Sequence, residues 1–132
     1  REEIMFEKKI RVQQSDLDQL EHVNNVKYVD WVQDIALEHW NKKAPLEMQE
    51  KWVWVMTKHC IEYRKASFLG NTISVKTYLE SSNGAMATRI VEFYNESDNK
   101  ASVTSTTSWC LLDASTFKPK RIPEDVSAVF IE

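Results

Sequence analysis

Hydrophobic and polar residues follow two different periods along this chain, and the change of period divides it into elements. Between residues 24 and 40 apolar positions recur every three to four residues, which is typical of an amphipathic helix. One face of this predicted helix is apolar and carries Val29, Val32, Ala36 and Trp40, with Tyr28 and Ile35 beside them. Asn24 or Asn25 is suited to cap its start, and Asn41 followed by Pro45 is suited to end it.

From residue 52 onward the period changes to two, as expected for half-buried strands. Before the helix, residues 4–13 alternate loosely and predict a first strand. The later predicted strands cover residues 52–64, 73–80, 85–94 and 102–112, separated by turns at Gly70-Asn71, Asn83-Gly84 and Glu96–Asn99. A short helical piece is expected after Pro123. This order predicts an α+β fold in which a five-stranded antiparallel sheet wraps one long helix.

The strand that begins at residue 52 carries unusual apolar bulk. We expect Trp52, Trp54 and Met56 to lie on the outer face of the sheet, away from the helix. That arrangement would expose more apolar area than a monomer keeps in contact with water. The sequence therefore predicts a homodimer or a homotetramer in which another copy covers this face.

Composition and charge restrict the class of protein. The chain has 132 residues, 42% hydrophobic and 28% charged, which predicts a single domain over residues 1–132. A formal net charge of −3 without a basic run gives no reason to expect nucleic acid or an anionic membrane as a partner. The longest apolar run, residues 52–56, is far too short to span a membrane, and no signal peptide is recognisable.

Glycine and cysteine usage excludes further classes. Because Gly70 and Gly84 are the only glycines, the chain lacks the glycine-rich loops that hold nucleotide phosphates. Cys60 and Cys110 show no metal-ligand spacing, and we expect two reduced, buried thiols in a cytoplasmic protein. We expect neither a cofactor nor a metal site.

The segment directly before the predicted helix carries most of the candidate chemistry. Residues 15–28 read Ser-Asp-Leu-Asp-Gln-Leu-Glu-His-Val-Asn-Asn-Val-Lys-Tyr, which places two carboxylates, an imidazole and two carboxamides at a helix start. A helix start offers unpaired backbone N–H groups and the positive end of the helix dipole. Acid/base side chains beside it can deliver a water to a carbonyl that these N–H groups polarise. The segment therefore predicts an active site that hydrolyses an acyl ester, with a thioester as the first choice.

The order of elements and the motif Ser-Asp-Leu-Asp-x-x-x-His-Val-Asn-Asn-x-x-Tyr resemble the hotdog fold. Within that fold, the chain resembles the hydroxybenzoyl-CoA and acyl-CoA thioesterases and the related acyl-ACP thioesterases. Residues 61–64, followed by Leu69-Gly70, are similar to the second strand of these families and its turn. The resemblance covers essentially the whole chain and implies hydrolysis of acyl-CoA or acyl-ACP to a free acid and a thiol. Because hotdog dimers form their pocket at the subunit interface, it also implies a contribution from a second subunit.

The resemblance assigns roles to residues of the motif. Asp18 matches the family's catalytic carboxylate, which acts as a general base on water or as a nucleophile. Asp16 is expected to be structural. His22 matches a histidine of the acyl-ACP thioesterase site, which orients the carboxylate or the water or protonates the leaving thiolate. Asn25 matches a site position at the helix start.

Further residues are expected to contact the substrate, namely Val23, Asn24 and Tyr28 near the helix start and Arg64 and Lys65 against the phosphates of CoA. A solvated charged surface is the alternative interpretation of the two basic residues. The remaining histidines need no catalytic role. His59 lies on an apolar strand face, as core histidines do, and His39 near the end of the helix suits the helix dipole.

Two departures from the family pattern leave the carrier open between CoA and ACP. Leu20 stands where plant-type acyl-ACP thioesterases have an asparagine, and Ala66-Ser67 stands where they have Glu-Cys, which favours an acyl-CoA-type site. Two alternative functions are a hotdog hydratase or dehydratase and a non-catalytic acyl-thioester binding module. The four-residue spacing from Asp18 to His22 differs from the five residues of the hydratases, and an ionisable Asp18 weighs against a simple binder.

Overall fold

The computed structural model describes residues 5–130, in which one long helix lies against a five-stranded sheet. The helices are α1 Asn25–Lys43, α2 Leu46–Lys51 and α3 Glu124–Ala128. The strands are β1 Phe6–Arg11, β2 Trp52–Tyr63, β3 Thr72–Asn83, β4 Met86–Asn95 and β5 Ala101–Asp113. All pairings are antiparallel in the order β1-β3-β4-β5-β2, so β1 and β2 are the two edges. The predicted α+β architecture is confirmed.

Local sequence explains both ends of α1. The side-chain oxygen of Asn24 accepts a hydrogen bond from the Val26 N–H at 3.0 Å, which is the arrangement of a helix N-cap. At the other end the Ala44 N–H donates to the Trp40 carbonyl at 2.8 Å. The helix therefore runs to Lys43, beyond the predicted end at residue 40. Its last turn carries two lysines, whose positive charges interact favourably with the negative end of the helix dipole.

The buried face of α1 packs on the sheet in two hydrophobic clusters. The first cluster, at the N-terminal half of the helix, consists of Val12, Val23, Tyr28, Trp31, Val32, Ile35, Ile73, Val75, Val91, Phe93 and Val103. The second cluster, at its C-terminal half, consists of Trp40, Ala44, Trp52, Leu79, Ala87, Leu111, Val126 and Phe130. Trp31 and His39 also lie on the buried face, whereas Val29, which the periodicity placed there, is only half-buried.

A β-bulge decides which residues of β2 face the helix. The pairing of β2 with β5 shifts register between Met56 and Lys58, so Thr57 is an extra residue and the sides alternate differently beyond it. Trp52 and Trp54 pack in the second cluster, and Met56 packs against the first. The expectation that these three residues lie on the outer face is therefore wrong. The apolar bulk belongs to the core of the chain and gives no reason to expect an oligomer.

The two cysteines are free, and neither of them is buried. Neither Cys60 nor Cys110 forms a disulfide, but Cys60 is exposed and Cys110 is half-buried, so the expectation of buried thiols is wrong. Cys60 faces solvent because it lies on the outward side of β2 beyond the bulge at Thr57.

Among residues 5–130, no helix combines the length and the apolar character needed to cross a membrane.

Candidate active site

The segment before α1 folds back on itself and is closed by Asp16. The residues Gln14–Asp16 form a 3₁₀ turn in which Asp16 Oδ2 accepts from the Gln13 N–H at 2.8 Å. Asp16 Oδ1 lies 3.5 Å from Lys27 Nζ, and the Asn24 N–H donates to the Asp16 carbonyl at 2.9 Å. Asp16 is buried and ties the segment to the first turn of the helix, which is the structural role expected for it.

Asp18 closes a second, tighter turn. Its backbone N–H donates to the His22 carbonyl at 2.8 Å, and the Glu21 N–H donates to the Asp18 carbonyl at 3.0 Å. Its carboxylate oxygen Oδ1 accepts from the N–H groups of Leu20 and His22, at 2.9 and 3.2 Å. This is an Asx-turn, which fixes the carboxylate relative to the backbone. The other oxygen, Oδ2, makes no hydrogen bond with residues 5–130 and is available to a water or a substrate.

The N–H groups at the start of α1 differ in how they are satisfied. The Val26 N–H is capped by the Asn24 side chain, and the Lys27 N–H donates to the Asn24 carbonyl at 2.9 Å. The Asn25 N–H makes no hydrogen bond within the described chain, and its side chain is exposed. Because first-turn N–H groups carry the positive end of the helix dipole, the Asn25 N–H can receive an anion. An open depression at this point is lined by Leu17, Asp18, Gln19, Leu20 and Asn24.

His22 is half-buried beside this depression. Its imidazole packs edge-on against the ring of Phe68, with ring centroids 5.2 Å apart and planes at 87°. The two residues also form an isolated β-bridge. Both hydrogen bonds that link His22 to Asp18 use the backbone of His22, so the ring and the carboxylate are held on the same turn by separate contacts.

Tyr28 and Val23 form the wall behind the helix start. Both are buried, and the Tyr28 ring meets the rings of Tyr63 and Phe93 edge-on at 5.9 and 5.1 Å. The Val23 N–H donates to the Ser67 carbonyl at 2.9 Å. The buried hydroxyls of Tyr28 and Ser67 make no well-aligned hydrogen bond within residues 5–130. Burial raises the pKa of Tyr28, and the neighbouring Ser67 opposes this effect.

Arg64 and Lys65 each have a polar partner of their own. Arg64 Nη1 donates to Thr104 Oγ1 at 2.9 Å, and its Nη2 lies 3.6 Å from Glu62. Lys65 Nζ lies 2.6 Å from the Asp98 carboxylate and holds the pKa of that carboxyl below its usual range. These exposed pairs agree with a solvated charged surface. A phosphate could still compete for such pairs, because exposed ion pairs are weak.

A well-formed cavity of about 450 Å³ lies beside the C-terminal half of α1, away from the Asp18 turn. Most of its walls are apolar and come from Ala36, Leu37, Trp40, Trp52, Val53, Trp54, Leu79, Ala87, Trp109 and Phe130. Arg89 also lines the cavity, although only 4% of the residue is exposed. Arg89 was not predicted from the sequence as a site residue. The available signal was an arginine at an inward position of β4, between the buried residues Ala87 and Val91.

Arg89 belongs to a buried polar group that includes His39. Arg89 Nη1 lies 3.0 Å from His39 Nδ1 and 2.9 Å from Thr77 Oγ1. The His39 ring stacks on Phe6 and meets Phe130 edge-on. Burial, assisted by the charge of Arg89, lowers the pKa of His39 to about 3, so the ring is neutral and Nδ1 accepts. The expectation that His39 acts on the helix dipole is therefore wrong, because a neutral imidazole brings no charge to it.

Arg89 keeps its charge despite being buried. Burial lowers the pKa of Arg89 to about 10, which still leaves the guanidinium protonated at neutral pH. His59 of β2 is half-buried with Nε2 2.9 Å from Ser105 Oγ, as expected for a satisfied core histidine. Among residues 5–130, no three His, Cys, Asp or Glu side chains cluster as metal ligands would.

A comparison with protein families identifies the class to which the chain belongs. The model of the acyl-ACP thioesterase N-terminal domain family matches residues 3–130, and the chain belongs to this family. Family membership supports thioester hydrolysis in general. A comparison with curated proteins gives no match.

Several solved structures share the fold. The probable thioesterase YbaW from Escherichia coli is 16% identical with a TM-score of 0.84, over 96% of this chain and 98% of that one. A Staphylococcus aureus protein solved in complex with CoA is 14% identical with a TM-score of 0.83, over 98% and 83%. A 1,4-dihydroxy-2-naphthoyl-CoA thioesterase from Synechocystis is 10% identical with a TM-score of 0.81, over 96% and 95%. At these identities the likeness shows the fold, and it confirms the hotdog prediction.

Proposed function

We propose that this chain hydrolyses acyl-CoA or acyl-ACP thioesters to a free acid and a thiol, with Asp18 as the catalytic carboxylate. The observation that carries the proposal is the geometry at the start of α1. Two backbone N–H groups fix one oxygen of Asp18, the other oxygen is unpaired within residues 5–130, and the Asn25 N–H nearby has no partner there. A carboxylate and an anion-binding helix start are the two components that hydrolysis of an acyl thioester requires.

The proposed reaction begins with the thioester carbonyl docked at the Asn25 N–H. Asp18 Oδ2 takes a proton from a water, whose oxygen attacks the carbonyl carbon. The developing oxyanion is stabilised by the N–H and by the helix dipole. When the tetrahedral intermediate collapses, the carbon–sulfur bond breaks, and the thiolate leaves and takes up the proton. A direct attack by Asp18, which forms an anhydride that water then hydrolyses, uses the same geometry.

The other residues of the motif have supporting roles in this proposal. His22 orients the water or protonates the leaving thiolate, and its packing on Phe68 favours a fixed ring position. Asn24 caps the helix and lines the depression, so it holds the N–H groups in place. The buried residues Val23 and Tyr28 support the helix start from behind. Because both residues are buried, we propose that Val23 and Tyr28 influence substrate binding through the shape of the site.

We also propose that the protein acts in the cytoplasm as a homodimer or homotetramer. The edge strand β1 exposes charged side chains at Glu7, Lys9 and Arg11, which discourage pairing with another chain. The other edge, β2, is twelve residues long and exposes Val55, which makes it the better surface for pairing. Antiparallel pairing of two β2 strands would place the Asp18 end of one copy beside the cavity of its partner.

The reducing environment of the cytoplasm suits the exposed free thiol of Cys60. Light scattering coupled to gel filtration tests the oligomeric state, and we expect a mass of two or four times the 15.5 kDa of one chain. A mass of 15.5 kDa at all concentrations would contradict an oligomer.

Release of free thiol from a panel of acyl-CoA and acyl-ACP substrates tests the proposed reaction. We expect release from one carrier class to dominate, and Arg64 and Lys65 to matter for binding if that carrier is CoA. Interconversion of enoyl- and hydroxyacyl-thioesters without thiol release would instead assign a hydratase. Tight binding of acyl thioesters with no conversion of any of them would assign a binding module.

A further inference from the structure

The cavity beside α1 holds a buried cation that lacks a carboxylate partner in residues 5–130. Arg89 is 4% exposed, lines the cavity and forms no ion pair within 4.0 Å in that part of the chain. The exposed Asp34 of α1 also borders the cavity but does not pair with it. His39 accepts a hydrogen bond from Arg89 but supplies no counter-charge, because an imidazole is either neutral or positive. Among the described residues this buried charge has no counter-ion, and an anion brought by a ligand would supply one.

The hydrogen bonds of Arg89 leave one edge of its guanidinium open. Both protons of Nη1 are directed to acceptors, Thr77 Oγ1 and His39 Nδ1. The edge formed by Nε and Nη2 makes no hydrogen bond with residues 5–130. Two parallel N–H groups on such an edge match the two oxygens of a carboxylate. The guanidinium also lies 5.4 Å from the centre of the Phe130 ring, which helps to fix its plane.

The rest of the cavity is suited to an apolar body. Its volume of about 450 Å³ lies within the range of small-molecule sites. Four tryptophans contribute to its walls, namely Trp40, Trp52, Trp54 and Trp109. A ligand that fills this space would bury its apolar part against aromatic rings and place one polar end at Arg89.

We propose that this cavity binds a carboxylate carried on an apolar body, with the carboxylate on the Nε and Nη2 edge of Arg89 and the apolar part against the tryptophans. Two ligands have this chemistry: a free carboxylic acid, which is the class of product that thioester hydrolysis releases, and an acyl thioester with a second, distal carboxylate. The binding site does not depend on Asp18, so it goes beyond the proposed reaction.

Titrations that follow tryptophan fluorescence test the proposal directly, since four tryptophans line the cavity. The probes are decanoate and decanol, which share a chain and differ in the charge of the head group. We expect wild type to bind decanoate at least about tenfold more tightly than decanol. Arg89→Gln removes this preference, whereas Arg11→Gln, the same change at an exposed position of β1, retains it. Equal affinities of wild type for both probes would overturn the proposal.

Two further variants keep the test decisive if Arg89→Gln does not fold. Arg89→Lys keeps the positive charge but loses the pair of parallel N–H donors. We expect this variant to keep only part of the preference for decanoate. Ala36→Leu adds bulk at a residue that lines the cavity, so we expect it to lower the affinity for both decanoate and decanol. If decanoate still binds Ala36→Leu with wild-type affinity, the ligand lies elsewhere and the proposal is wrong.

The two ligand sources are distinguished by turnover of two CoA thioesters, those of decanoic acid and of decanedioic acid. A higher kcat/KM for the decanedioic thioester, lost in Arg89→Gln, assigns the site to a distal carboxylate of the substrate. Equal kcat/KM values together with tight decanoate binding assign it to the free acid. Because the fluorescence titration needs no turnover, Asp18→Asn should bind decanoate like wild type, and failure of the thioesterase proposal would leave this result intact.

Discussion

His39 and Arg89 are 50 positions apart in the chain, yet His39 Nδ1 and Arg89 Nη1 lie 3.0 Å apart inside the protein. The arginine donates, so the imidazole accepts and stays neutral. Both residues are buried, and neither group can change its protonation without loss of this contact. The pair therefore links the buried end of α1 to the middle of β4 in a way that depends on pH.

We predict that His39 makes the stability of the fold fall with decreasing pH. The pKa of His39 is about 3 in the folded protein and 6.5 unperturbed, so the unfolded chain binds the extra proton between these values. Stability is retained above pH 6.5 and is lost as the pH falls towards 3, by at most about 1.4 kcal/mol per pH unit. Denaturant unfolding of wild type and His39→Asn across this range checks the prediction. Asparagine keeps an acceptor without a titration, so an equally steep loss in the variant would contradict it.

We predict that substitutions of the two neighbouring asparagines at the helix start have different effects. A change at Asn24 should lower stability, and a change at Asn25 should lower activity. Asn24→Ala removes the cap bond to the Val26 N–H and should lower the free energy of unfolding by about 1 kcal/mol. Asn25→Pro removes the unpaired N–H at the first helical position, where proline is tolerated, so it should change stability by less than about 0.5 kcal/mol and lower the turnover rate instead. Denaturant unfolding and thiol release on both variants check this. Equal loss of stability in the two would argue against the assigned cap.

We predict that His22 matters less than Asp18. His22→Phe keeps an aromatic ring against Phe68 and the backbone N–H that bonds to Asp18, but removes the imidazole nitrogens. Because thiolates leave readily, the rate of thiol release should fall by less than about a hundredfold. A loss as large as that of an Asp18 variant, in a folded protein, would make His22 an equal partner in catalysis.

Features that depend on nearby residues were predictable from the sequence. The N-cap at Asn24, the turns after β3 and β4 and the helix after Pro123 follow from local chemistry, and the structure has all of them. The Asx-turn at Asp18 is local as well, because an aspartate side chain readily accepts from the backbone N–H two residues on. The unpaired Asn25 N–H required the structure, because it depends on where the preceding segment runs.

Features that depend on pairing between distant segments were not predictable. The bulge at Thr57 arises from the register of β2 on β5, and a strict alternation therefore put Trp52 and Trp54 on the wrong face. Arg89 was missed because only the packing of α1 on β4 shows that it shares a site with His39. Sequence periodicity gives the face of an isolated element, whereas these residues are defined by two elements at once.

The rate of thiol release by Asp18→Asn, measured beside Asp16→Asn, tests the central claim most directly. Asparagine keeps an oxygen that accepts from Leu20 and His22, so the turn should persist while the charge is lost. We predict that kcat/KM falls by at least about a hundredfold. Asp16→Asn weakens the contact with Lys27 and should cost stability, with turnover per folded molecule close to wild type. If Asp18→Asn turns over like wild type, or if both variants lose activity equally, Asp18 is not the catalytic carboxylate.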